Sequence, residues 1–177
     1  TVKAKSVKKA KSKKKIKEKN FTEVVENFQK IEGLFTLYWN EKTNQAYVAI
    51  FPGQLGTIYL AGLTRQSGDG YYLDGSSMLN EYPFMFRKIG KRIQFINANV
   101  KFRADEDSPF RRSVERHTSH SILSSTEIAS KPHPKTGAIL ADIGKLFIYD
   151  IEEITRRSQG IYSFDKKDSY FMDLKSF

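Results

Sequence analysis

His117 and His120, in the stretch VERHTSH, and His133, in KPHPK, are the three imidazoles of a 177-residue chain that contains no cysteine. A zinc hydrolase usually places two His at i and i+4 on a helix with a Glu between them. That spacing turns both rings to the metal and sets a base beside its water. Here the spacing is three, no Glu intervenes, and the residues that follow read as strand. The pair is therefore assigned to a strand entrance, solvated or hydrogen-bonded, with a His-X-X-His share in a metal as the minor alternative. His133, flanked by prolines, is expected in an exposed loop.

Two carboxylate groups come next. Asp105, Glu106 and Asp107 lie in RADEDSP, and Asp69 and Asp74 in SGDGYYLDG. A calcium loop needs oxygens in ordered alternation and a closing bidentate acid. Neither stretch has that order, so turn chemistry is the expected role of both, with a loop calcium site as the minor alternative. No Gly-X-Ser-X-Gly elbow is present, and Gly68-Asp69-Gly70 lacks the third glycine and the strand-loop-helix setting of a phosphate fingerprint. Phe35, Tyr38, Trp39, Tyr47, Phe51 and Tyr59 have the composition of a ligand groove, but strand aromatics more often form cross-strand core pairs. No set of residues amounts to an active site. The expectation is no catalytic residue, no metal ligand and no cofactor held by this chain.

Charge is unevenly spread. Residues 1–19 hold ten Lys and one Glu, so +9 of the net +10 lies there and the remaining body is close to neutral. This segment, TVKAKSVKKAKSKKKIKEK, has almost nothing to bury and reads as a Lys-rich flexible tail. It is either a solvated spacer or a contact for an anionic partner (nucleic acid, lipid headgroups or an acidic protein), with Lys8, Lys9, Lys11, Lys13, Lys14 and Lys15 as the contacting residues. No Arg or aromatic is interleaved, so base reading is not expected. No apolar run approaches the roughly 20 residues of a membrane span. The chain opens on Thr1 and shows no signal peptide, which is read as processing or trimming.

The elements that would position these residues begin at Asn20. Asn20 and Glu23 form a capping-box pattern, and Phe21, Val24, Val25, Phe28 and Ile31 follow at helical spacing, predicting an amphipathic helix of about three turns that Gly33 ends. The period then falls to two. LFTLYW and AYVAI flank a polar loop, TIYLAGL reads as a third strand, and a surface loop spans Thr64 to Asn80. FMFRKI and RIQFIN around Gly90-Lys91 give the sharpest hairpin signal, with VKFRA read as continuing the second arm. Ser121–Ile128 and AILAD are further strands, and Asp142 is expected to cap a short helix near 143–158. IYSFDKKDSYFMDLKSF reads as a last hairpin around Asp165–Asp168. The prediction is a mainly β (α+β) fold, a meandering antiparallel sheet of hairpins, curved or barrel-like. A tail over 1–19 precedes a β-rich domain over 20–177, read as cut short at its C-terminal end.

KIEGLFTLYWNEKTNQAYVAI, QLGTIYLAGL, FRKIGKRIQFI, FRAD, Ser121–Leu123 and ILADIGKLFIYD, taken in order, resemble a non-catalytic N-terminal region, a domain of unknown function, of bacterial metzincin-type zinc-dependent metalloproteases. The resemblance runs from about Phe21 to Phe171, with Glu32, Gly33, Leu34, Phe35, Tyr38, Asp142 and Asp150 as the most specific matches. It implies an accessory domain that supports or covers a protease domain of the same protein. Zinc would sit in that other domain, on a His-Glu-X-X-His-X-X-Gly-X-X-His stretch this chain lacks. It also implies export, to the periplasm, the cell envelope or outside the cell. The Lys-rich tail has no counterpart in the resemblance.

Overall fold

Residues 19–66, 78–151 and 153–177 are described by a computed structural model. Eight strands form two four-stranded antiparallel sheets. The first has the order β1-β2-β3-β8, from Gln29–Ile31, Thr36–Asn40, Gln45–Ile50 and Ile139–Asp142. The second has the order β4-β5-β6-β7, from Tyr59–Thr64, Met78–Ile89, Arg92–Asn97 and Ser121–Glu127.

Alternation along the strands decides what lies between the sheets. Ala46, Val48 and Ile50 of β3, with Ile139 and Ala141 of β8, meet Tyr82, Phe84 and Phe86 of β5 and Ile93 and Phe95 of β6. The intervening residues Tyr47, Ala49 and Leu140 point to the opposite face, where Phe21, Val24, Val25 and Phe28 cover them. Strand β3 is therefore buried on both sides, with five of its six residues inaccessible. The candidate ligand-groove aromatics divide between these two cores. Phe35, Trp39 and Tyr59 join the inner one, and Tyr38, Tyr47 and Phe51 the outer.

The sheets meet along one seam. Ile128 bridges Ala141, and the Ala129 amide donates to the Leu140 carbonyl at 2.9 Å, so the chain beyond β7 runs onto β8. No ladder among the described residues joins the far edges, β1 and β4. The strands meander through antiparallel hairpins, as expected, and among the described residues they do not close into a barrel.

The hairpin at Gly90-Lys91 forms as predicted, with Ile89 opposite Arg92 and Gly90 at φ +56°, a conformation glycine adopts without cost. The cap at Asp142 also forms. Its Oδ1 accepts from the Lys145 amide at 3.2 Å and starts α3, Ile143–Phe147, whose Leu146 is fully buried.

Four expectations need correction. The first helix, α1, spans only Phe21–Val25, because Gln29–Ile31 leave it to pair with Trp39–Leu37 as the edge of the first sheet. Pairing with β2 fixes these residues onto a packed sheet, and a short helix has too little intrinsic stability to hold its third turn against that. VKFRA does not extend β6; residues 98–104 leave the ladder, and a helix not anticipated, α2, follows at Arg111–His117. The helix near 143–158 is two short ones, α3 and α4 at Ile154–Arg157.

The C-terminal hairpin is absent, and residues 158–177 contain no strand. The last eight residues instead run as an extended strap. Asn44, at φ +50° in the β2–β3 turn, donates to the Phe171 carbonyl at 2.7 Å and accepts from its amide at 2.9 Å. The Leu34 amide donates to the Phe177 carbonyl at 2.6 Å, and Ser176 Oγ to the Phe35 carbonyl at 2.7 Å. Phe171 and Leu174 pack against the inner core.

Gly33 lies under this strap. A Cβ there would meet the Phe177 amide nitrogen, Ser176 Oγ and the Ser176 carbonyl carbon inside contact distance. Two of these are backbone atoms, so Gly33→Val is expected to lift the strap and cost about 1–3 kcal/mol, the usual penalty of overpacking. A lowered urea midpoint, with nicking by protease confined to 170–177, is the result to look for. An unchanged midpoint would mean that the strap contributes nothing.

No helix among the described residues is long and apolar enough to cross a membrane.

Candidate functional site

The three histidines are far from forming one site. His117 ends α2, where its Nδ1 lies 2.8 Å from the Ser113 carbonyl oxygen, rather than entering a strand. His120 precedes β7, and its Nδ1 accepts from the Asn99 amide at 2.9 Å. His133 is half-buried instead of exposed. Its ring stands edge-on to Phe21 at 5.1 Å, and its Nδ1 accepts from the Lys135 and Thr136 amides, both at 3.3 Å. Glu106 faces Arg111 at 4.0 Å, and Asp105 closes a turn by accepting from the Ser108 amide at 3.0 Å. Among the described residues no three His, Asp or Glu converge as metal ligands. Asp69 and Asp74 lie outside the described residues, as do Lys8, Lys9, Lys11, Lys13, Lys14 and Lys15.

The most specific residues of the family resemblance have structural roles here. Gly33 makes room for the strap, and Phe35 stacks edge-on to Tyr59 at 4.9 Å and to Phe86 at 5.7 Å. Asp142 caps α3, and Asp150 Oδ2 accepts from the Thr155 amide at 3.1 Å at the entry to α4. Glu32 pairs with Lys30 on the surface, which holds its carboxyl below the ordinary range.

One concave surface gathers charge. A groove of about 860 Å³ opens where α1, the β5–β6 turn and the chain after β7 come together. Lys19, Lys88, Lys91 and Arg92 line it, opposed by Glu23 and Glu127. Both carboxylates are engaged. Glu23 accepts from the Asn20 amide at 3.0 Å and from Asn20 Nδ2 at 2.6 Å, and Glu127 lies 3.7 Å from Arg92. Arg92 also donates to Ser125 Oγ at 2.8 Å. The ammonium groups of Lys19 and Lys88 have no carboxylate partner among the described residues. The groove is held at the Lys19 end by the Lys131 amide, which donates to the Lys19 carbonyl at 2.9 Å, and at the hairpin end by the Ile128 amide on the Lys91 carbonyl at 2.9 Å.

Its floor includes Tyr47, whose hydroxyl accepts from Gln45 Nε2 at 2.7 Å. Burial, with the Asp142 carboxylate nearby, raises the Tyr47 pKa above its ordinary value. Of these groups the sequence had singled out only Tyr47, as one of the candidate ligand-groove aromatics, and Glu23, as part of a helix cap. A signal existed in RKIGKR, four cations in six residues around a glycine turn, but it was read only as a hairpin.

Tyr149 is a second tyrosine whose hydroxyl is shifted by burial. Burial, with Tyr82 adding to it, pushes its hydroxyl up to about 12, and no hydrogen-bond partner for that oxygen exists among the described residues. A tyrosine whose folded pKa exceeds its unfolded value of roughly 10 stabilises the fold fully below pH ~10. That contribution is lost as the pH rises toward 12. Tyr149→Phe is expected to flatten this alkaline loss and to leave stability at neutral pH unchanged or slightly higher, because an unsatisfied buried hydroxyl is removed. Thermal unfolding followed from pH 8 to 11.5 gives the answer, and parallel curves for the two proteins would refute it.

No curated protein and no solved structure matches the chain significantly. Residues 76–177, more than half of the chain, match the family described as Domain of unknown function (DUF5117), and the chain belongs to that family.

Proposed function

We propose that this chain is a non-catalytic module that packs on, orients or covers a zinc-dependent protease domain lying elsewhere in the same protein, exported to the envelope or beyond. The observation that supports the reading most directly is the apolar surface of the last 17 residues. Ile161, Phe164, Tyr170, Met172 and Phe177 are all exposed, an arrangement that favours cover by another protein surface. The ordered resemblance of segments from Phe21 to Phe171 supplies the identity of that surface.

Sequencing the source reading frame past Phe177 is the direct test. A downstream His-Glu-X-X-His stretch supports the reading, and a stop codon at that point removes it. The purified chain is expected to hold no stoichiometric zinc by mass spectrometry of the metal and to cleave no peptide. Tightly held zinc on His117 and His120 would overturn the proposal.

A second reading rests on the +9 charge of residues 1–19. In it the chain is a free-standing binding module that lays its tail on an anionic partner. Affinity should then fall steeply with salt and disappear when the tail is removed.

A further inference from the structure

We infer that the groove between α1 and the β5–β6 turn binds an extended, acidic polypeptide segment. This inference stands apart from both readings above, because it places an anion site on the folded body rather than on the tail or the C-terminal apolar surface. The body beyond the tail is nearly neutral, yet the groove brings its Lys88, Lys91 and Arg92 together with Lys19, the last residue of the tail, in one concavity. Two of them, Lys19 and Lys88, are not offset by a carboxylate among the described residues. A concave wall with low-dielectric backing concentrates such a field beyond what the same charges give on a flat surface.

The lining also says which anion fits. Glu23 and Glu127 stand in the same wall, and a phosphate polymer, charged at every step, would meet both. A strand-like peptide places same-face side chains about 7 Å apart, so its carboxylates can alternate with gaps that face Glu23 and Glu127. Its amides can donate to those carboxylates, which no phosphodiester can do. Val24, Ile128, Ala129 and Pro132 supply apolar contacts between the charges. Among the described residues the one aromatic in the lining, Tyr47, is itself 9% exposed and tied to Gln45, so it offers no open face for stacking a base.

The probe is a fluorescein-labelled peptide of alternating Glu and Ala, about ten residues and so about 33 Å when extended. It is titrated by anisotropy into the full chain and into the full chain with Lys8, Lys9, Lys11, Lys13, Lys14 and Lys15 changed to Gln. In both backgrounds the double variant Lys88→Glu, Lys91→Glu is expected to weaken binding at least about tenfold, as loss of complementary charge at a docking site does. Because charge reversal can disturb the turn, two milder changes accompany it. Lys88→Met should weaken binding a few-fold, and Glu127→Gln should tighten it. Circular dichroism confirms the fold of each.

Equal affinity for wild type and the Lys88 variants overturns the site. So does binding that vanishes in the tail-substituted background, which would assign the peptide to the tail. Tighter binding of an oligothymidylate of matched charge, weakened by the same Lys88 changes, overturns the choice of an acidic peptide.

Discussion

The segment 76–177 produced without the first 75 residues is expected to lose cooperative unfolding. Among the described residues its strand β8 forms a ladder with β3 alone, with Tyr47 opposite Asp142 and Ile50 opposite Ile139. Leu140 and Ala141 are fully buried, and so is Ile50, while Val48 is 2% and Ile139 4% exposed. Removing β3 strips the partner contacts from Ile139 and Leu140 and deletes Val48 and Ile50 outright. Four such side chains at roughly 1.5–3 kcal/mol each amount to about 6–12 kcal/mol. A whole domain has about 5–15 kcal/mol to lose. The expected loss would place the start of the folding unit before the family match at residues 76–177. Calorimetry of the short and full chains decides the matter. A sharp transition in the short chain would show that β5–β7 and α3 are self-sufficient.

Phe95→Ala should be the most damaging single change. Phe95 is 1% exposed at the centre of an aromatic cluster. Its ring centroid lies 4.7 Å from Phe147, 5.1 Å from Phe84, 5.9 Å from Phe86 and 6.3 Å from Tyr82. Phe84 and Phe86 are held by β5 and Phe147 by α3, so the neighbours cannot close over the gap without leaving their own ladders. Removing a buried Phe under these conditions costs about 3–5 kcal/mol. The neighbouring change Phe95→Leu fills much of the space and should cost well under half of that. Urea titrations of the two variants test the claim, and equal midpoints would refute the rigidity argument.

The sequence made the β5–β6 hairpin and the Asp142 cap legible because each depends on neighbours in the chain. Gly90-Lys91 sets its own register, and Asp142 needs only the amide three residues on. The run from Phe21 to Ile31 was ambiguous for a physical reason. Its apolar residues satisfy a helical stripe throughout, and nothing local announces that Gln29–Ile31 will be claimed by β2. The strap was harder still. Its alternation resembles a strand, but its anchors are side chains at Asn44 and backbone at Leu34, 127 residues and more away.

The candidate site shares that difficulty. Lys88, Arg92 and Glu127 meet across the β5-β6-β7 ladders, Lys19 reaches them only once α1 has packed, and a near-neutral body conceals a local excess of positive charge. The Lys-rich tail, by contrast, was visible from composition alone and outweighed the groove in any count of charge.

The pairing of β3 with β8 also sets a clock for synthesis. β3 ends at Ile50 and its partner begins at Ile139, so roughly 90 residues must be translated between them, about 5–20 s at a ribosome's usual pace. Through that interval the nascent chain carries a strand apolar on both faces with one unpaired edge, the form most prone to join a neighbouring copy. α1, already made, can shield one face of it. The vulnerable species is therefore the half-made chain, and conditions that slow elongation should lower the yield of folded protein more than any change at the finished surface.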